Sequence, residues 1–78
     1  MKDLVEQIAR KFADYPAEVA VAEIGGAKTT ILELRCHKGD VGRMIGRSGR
    51  TIGAMRVLTD ALMARAKKRV ILEVVGRE

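Results

Sequence analysis

Tryptophan is missing from this chain, and phenylalanine, tyrosine, histidine, cysteine and proline each occur once. With Phe12 and Tyr15 as its only aromatic rings, the protein cannot offer a row of rings on which successive bases stack. One thiol, Cys36, cannot make an intramolecular disulfide, which fits a reducing compartment. One histidine, His37, leaves no partner imidazole for a metal site, and no GxxxxGK[ST] stretch is present to bind and hydrolyse a nucleotide. There is no run of 18 apolar residues, and the start MKDLVEQ turns acidic too early for a secretion signal, so a cytoplasmic protein without a membrane anchor is expected. Repeats, linkers and low-complexity segments are also missing. The 78 residues, 8.5 kDa, read as one domain over residues 1–78.

Apolar residues make up 47% of the chain, enough for a core, and the formal net charge is +5. The excess is local. Between Arg35 and Arg56 lie Arg35, Lys38, Arg43, Arg47, Arg50 and Arg56 against the single acid Asp40, while basic and acidic residues elsewhere cancel. A patch of this kind is the electrostatic footprint expected for a polyanion rather than a generally basic solubility surface.

The periodicities predict six elements. Residues 3 to about 14 form an amphipathic helix with Asp3 as N-cap and Leu4, Val5, Ile8 and Phe12 on its packing face; Tyr15-Pro16 ends it. Strands are expected at Glu18–Ile24 and Thr29–Cys36, joined by the turn Gly25-Gly26-Ala27-Lys28. Asp40 is placed to N-cap a short helix, Val41–Ile45, with Arg43 facing out. A longer helix runs from Arg50 or Thr51 to about Lys67, with Ile52, Met55, Leu58, Ala61, Leu62 and Ala66 around a broad apolar face. Arg65, Lys67, Lys68 and Arg69 sit near its C-terminus, where the dipole favours cations. Arg69–Val75, rich in β-branched residues, is the last strand, followed by the polar tail Gly76-Arg77-Glu78.

Between the two later helices stands Ile45-Gly46-Arg47-Ser48-Gly49-Arg50-Thr51-Ile52. Gly46 and Gly49 tolerate positive φ and let a ligand approach the backbone. The turn delivers the start of a helix, whose free N–H groups favour an anion, and Arg43, Arg47 and Arg50 crowd the same place. Two glycines three apart also make an ordinary helix C-cap. The flanking isoleucines, the local charge and the element order separate this turn from that alternative.

This pattern, Ile45-Gly46-x-x-Gly49-x-x-Ile52 within GDVGRMIGRSGRTIGAMR, resembles the signature of the KH domain, a module for RNA and single-stranded DNA whose GXXG loop clamps backbone nucleotides. Over nearly its whole length the chain is similar to the small bacterial single-KH proteins of the KhpA (YlqC) type. The resemblance implies an α+β fold, the type II KH domain, α-β-β-α-α-β, with a three-stranded mixed sheet and three helices packed on one face. It implies single-stranded RNA as partner, single-stranded DNA as a variant, and a role as RNA chaperone or post-transcriptional regulator. A homodimer, or a heterodimer with a larger KH protein of the KhpB (Jag) type, is implied as well. Carried over residue by residue, Gly46, Arg47, Ser48 and Gly49 form the loop, and Arg43, Arg47 and Arg50 pair with phosphates. Val41, Ile45 and Ile52 line the aliphatic groove, with Lys38 nearby and Lys28 in a variable loop on the far side. Neither a catalytic centre, a metal nor a cofactor is expected. Cys36 and His37, adjacent on a strand, should point apart as a buried thiol and an exposed imidazole. The competing reading is a dimerisation adaptor whose nucleic-acid contact is incidental.

Overall fold

The order α-β-β-α-α-β is found in the computed structural model, which describes residues 2–77. The elements are α1 (Lys2–Phe12), β1 (Ala20–Gly25), β2 (Thr29–His37), α2 (Val41–Ile45), α3 (Arg50–Met63) and β3 (Arg69–Arg77). Short 3-10 turns at Pro16–Glu18, Lys38–Asp40, Arg47–Gly49 and Ala64–Ala66 fill the connections. The expected polar tail is instead strand at Gly76 and Arg77, and Glu78 lies outside the described residues.

The central strand is β2, which pairs antiparallel with β1 through a tight turn and parallel with β3 through the two-helix crossover. Its side chains alternate without interruption, burying Thr30, Leu32, Leu34 and Cys36 under the helices. Leu32 and Leu72 are register partners, so the two apolar columns stand side by side. On the opposite face Ile24, Ile31 and Ile71 form a row across all three strands and keep partial contact with water.

Both long helices bury only part of the face expected: Val5 and Ile8 of α1, and Ile52 and Met55 of α3, do pack on the core. In α1 the buried residues are Val5 and Ala9, while Leu4 and Phe12 stay exposed; in α3 they are Ile52, Met55 and Thr59, while Val57, Leu58 and Leu62 face water. The reason is where each helix lies: α1 packs on β1 and α3 on β3, rather than tightly on each other. The apolar flanks that face the gap between them are left uncovered. Asp3 is a first-turn residue of α1 rather than its N-cap, where its charge still suits the dipole.

Asp40 departs from expectation more consequentially. It precedes α2, but its side chain makes no capping bond to that helix. The carboxylate is fully buried and accepts the backbone N–H groups of Asp14 and Tyr15, each at 3.0 Å. Arg43 adds an ion pair to Asp14 at 3.0 Å and a longer one to Asp40 at 3.9 Å. The Tyr15 ring stacks on His37, with centroids 4.0 Å apart, and His37 Nδ1 accepts the Gly39 N–H. The bend after α1 and the turn before α2 are thereby one unit. Burial pushes the Asp40 carboxyl up, but the two backbone donors, then Arg43 and His37, outweigh it and hold its pKa below the usual value.

A carboxylate with a lowered folded pKa stabilises the fold fully above its unfolded pKa of about 3.9, and that stabilisation is lost as pH falls through the lower folded value. Asp40→Asn is therefore expected to melt roughly 5–10 °C lower than the wild type at pH 7, with the difference shrinking as both are taken to pH 2. Circular dichroism melts across that range measure it; a constant difference at every pH would mean that the charge of Asp40 contributes nothing.

Candidate nucleic-acid interface

The five-residue helix α2 can only end as it does because residue 46 is glycine. Gly46 has φ 77° and ψ 170°, and its N–H closes the helix on Gly42 C=O at 2.8 Å. A methyl group there would collide with the Thr51 hydroxyl and stand 2.8 Å from the Thr51 nitrogen. Ser48 and Gly49 are also left-handed, at φ 56° and 73°, and Gly49 N–H returns to Gly46 C=O at 3.1 Å. With three of its four residues at positive φ, the loop is a sharply reversed turn whose tip, Arg47 and Ser48, is exposed. Met44 on one side and Ile52 on the other are buried and anchor it to the core.

The residues expected at the site are not equivalent. Arg47, Ser48 and Arg50 stand free at the tip and the start of α3. Arg43 lies nearby but is engaged by Asp14 and Asp40. Ile45 is 38% exposed and can meet a ligand, whereas Ile52, 7% exposed, belongs to the core. Val41 is half-buried against Gly76 at the end of β3, close to exposed Lys38. Lys28 is not brought to the loop. Its carbonyl accepts the Arg69 N–H at 2.9 Å, at the other end of the sheet, whereas Gly46 follows α2 near the His37 and Arg77 ends of β2 and β3.

Beside the Arg69 that Lys28 meets through its carbonyl lies a second basic surface. Between α3 and the start of β3 lies an open depression of about 690 Å³, lined in part by Arg56, Asp60, Lys67, Lys68 and Arg69. The Arg56 guanidinium donates to Leu72 C=O at 3.1 Å on the outer strand. Arg56, at the near edge of this depression, lies about 9 Å along α3 from Arg50 beside the glycine loop. Arg56 and Asp60, four apart on α3, and the run Lys67-Lys68-Arg69 were the readable signals; what the sequence could not disclose is that β3 brings them together.

The adjacent Cys36 and His37 do not face each other on β2. Cys36 is buried, and burial first and the Asp40 charge second push its thiol pKa up, away from the thiolate form. His37 points the other way, half-buried rather than exposed because Tyr15 covers it. Among the described residues no group of three or more His, Cys, Asp or Glu side chains could hold a metal ion. No helix there is long and apolar enough to cross a membrane.

Two helices joined by a Gly-x-x-Gly turn, laid on a three-stranded mixed sheet in the order α-β-β-α-α-β, define a type II KH domain. The profile of the KhpA/KhpB KH domain matches residues 2–74. The chain is 40% identical over 75 residues to the RNA-binding protein KhpA of Clostridium acetobutylicum, covering 96% of this chain and 100% of that one. Similar matches are the RNA-binding proteins KhpA of Aquifex aeolicus, 39% identical over 96% of this chain and 95% of that one, and of Chlamydia trachomatis, 40% identical over 96% of each. No solved structure matches it significantly. The chain belongs to the KhpA family of KH-domain proteins.

The two glycines should respond differently to substitution. Gly46→Ala meets both a strained φ and a clash with Thr51, and should lose at least about 3 kcal/mol; Gly49→Ala meets strain alone and should lose about 1–2 kcal/mol. Urea denaturation followed by circular dichroism compares them, and equal losses would refute the steric role of Thr51. The Cys36 thiol should react with an aromatic disulfide reagent only after unfolding, since it is buried as the neutral thiol; rapid labelling of the folded protein would contradict this.

Proposed function

We propose that the chain is an RNA-binding protein that grips single-stranded RNA through the Gly46–Gly49 loop. The observation that carries this reading is the loop itself: a left-handed turn anchored in the core, with two free arginines and a serine at a helix start. Relatives that cover the chain end to end and bear the name RNA-binding protein KhpA support it.

In this reading the backbone of the strand lies across the loop. The absence of side chains at Gly46 and Gly49 lets phosphates come close, the first N–H groups of α3 point at them, and Arg47 and Arg50 supply charge. Ser48 adds a hydroxyl. Arg43 contributes field more than direct contact, because its guanidinium already serves two carboxylates. Bases turn towards Ile45 and the exposed edge of Val41, with the outer strand β3 as the facing wall and Lys38 at its rim. Ile52 supports the groove from beneath. About four nucleotides fit such a groove, and a strand of that length running beside α3 leads towards Arg56, Lys67 and Lys68. Lys28 belongs to that far end.

One groove that grips mainly phosphates binds weakly, and a second groove would raise the apparent affinity through effective concentration. Another copy of this chain or a larger KH protein of the KhpB (Jag) type is the proposed source. RNA chaperoning or post-transcriptional regulation follows from modest sequence preference combined with such avidity. Phosphate clamping alone does not distinguish a ribose 2′-hydroxyl, so single-stranded DNA belongs in the test.

Fluorescence anisotropy with single-stranded RNA and DNA at several salt concentrations tests the reading. For about three phosphate contacts, the logarithm of affinity should fall with the logarithm of salt at a slope near −2. Arg47→Asp/Ser48→Asp should weaken binding at least about tenfold without altering the circular dichroism spectrum. A folded double variant that binds like the wild type would remove the loop from the interface.

A further inference from the structure

The depression between α3 and the start of β3 carries more positive charge than the end of a helix requires. Arg56, Lys67, Lys68 and Arg69 line it against one acid, Asp60: four cations to one carboxylate, a formal excess of three. All four are exposed, and among the described residues none of them is held in an ion pair. One or two cations near Met63 would answer the negative end of the α3 dipole, and Arg65, in the turn that follows, already lies there. Ile71, 37% exposed, gives the depression an aliphatic wall beside the charges, as Ile45 does next to the glycine loop.

The backbone singles out Lys67. Two non-glycine residues among those described have positive φ, and they stand at either end of α3: Ser48 at 56°, in the glycine loop, and Lys67 at 53°. Lys67 closes the 3-10 turn Ala64–Ala66, its N–H returning to Ala64 C=O at 3.2 Å. Glycine is the residue that closes a helix in this left-handed conformation without strain, because it has no side chain to collide with its own backbone. A lysine in that place gives up stability, and what it supplies is an ammonium group lining the depression. Strain of this kind collects at positions that bind.

We propose that this depression is a second phosphate-binding site, which holds the nucleotides of a single strand that extend beyond the glycine loop. The site presupposes the loop as the single-strand clamp and fixes where the strand goes next. Strand β3 borders both places, through Gly76 at Val41 and through Val70 to Leu72 in the depression. Arg56 lies about 9 Å along α3 from Arg50, and the helix ends at Met63 about 10 Å further on. A lone phosphate stays largely hydrated in so open a site, whereas successive phosphates of one strand each release counterions. An acidic peptide meets the same charges but has no second anchor; a strand already seated at the loop is delivered to them at high effective concentration. One chain then covers roughly eight nucleotides instead of the four that a KH groove holds.

The test titrates the full chain, labelled with ¹⁵N, with oligouridylates of about four and about ten nucleotides. The wild type is compared with Lys67→Gly and Lys67→Gly/Lys68→Gln, and each is also melted. Comparing variants at one length removes the gain that a longer strand has from its many registers. The longer strand is expected to shift the amide signals of Lys68, Arg69 and Ile71 as well as those of the loop, and the tetranucleotide those of the loop alone. Lys67→Gly should melt roughly 2–5 °C higher yet bind the longer strand about threefold more weakly, a combination that a merely structural lysine does not produce. The double variant should bind the longer strand at least about fivefold more weakly, with a salt slope shallower by about 1.4 for two lost contacts. Its affinity for the tetranucleotide should stay within about twofold, since the sites lie about two Debye lengths apart at physiological salt. The same affinity ratio at both lengths, or a longer strand that leaves Lys68 to Ile71 unshifted, would overturn the proposal. So would Lys67→Gly that melts lower and binds normally, or a polyglutamate of equal length that binds the depression as tightly as the RNA. Arg47→Asp/Ser48→Asp separates the two sites. If it loses both oligonucleotides while Lys67→Gly/Lys68→Gln loses neither, the loop reading stands and the second site alone falls; if it binds both like the wild type, the loop reading falls and takes the second site with it.

Discussion

A single buried carboxylate receives two backbone N–H groups from the bend after α1, and the position of everything downstream follows from that contact. Burying a charge is unfavourable unless its hydrogen-bonding capacity is met, and here the donors come from a part of the chain 25 and 26 residues earlier. The bond to Asp14 and Tyr15 fixes where α2 begins. Since α2 has only five residues before Gly46 turns it back, its starting point is also the location of the glycine loop. His37, stacked on Tyr15 and bonded to Gly39, stiffens the same junction from the sheet side. The glycine turn thus rests on a buried acidic residue that precedes α2.

The arginines divide into structural and free ones, and this division refines the meaning of the basic patch. Arg35 is paired with Glu33 on its own strand, Arg43 with Asp14 and Asp40, and Arg56 with a carbonyl of β3. Arg47 and Arg50 have none of these ties. A total of local charge therefore overstates the number of cationic groups left without a protein partner, while the paired ones still contribute to the long-range field.

Much of the architecture was legible in the residues because the signals were local. Alternation in Thr29–Cys36, the glycines of the hairpin and of the loop, and the proline after Tyr15 each act over a few residues, and the elements lie where they point. The loop was legible for the same reason: positive φ at Gly46 and Gly49 is a property of the residue type. What could not be read depended on contacts between distant segments. Periodicity alone could not tell which apolar flank of α1 or α3 would be covered, since Leu4, Phe12, Leu58 and Leu62 suit a buried face as well as Val5 and Met55 do. Asp40 looked like a helix cap because a cap is what an aspartate before a helix does by default; its actual partners are set by the fold. Lys28 lies where β1 and β2 turn, and only the register of β3 shows that this end is remote from the loop.

The bond from Arg56 to Leu72 C=O lies on an outer strand nine residues long and rich in β-branched side chains, with free backbone groups facing solvent. Strands of that kind add to the strands of neighbouring molecules and start aggregates. By occupying a carbonyl near the middle of β3, a residue on α3 leaves no uninterrupted ladder for another chain to copy, and the charges of Arg69, Glu73 and Arg77 work to the same end. Solubility at high concentration is thus tied to the docking of α3: a change that loosens this helix should expose an adhesive edge before it unfolds the domain.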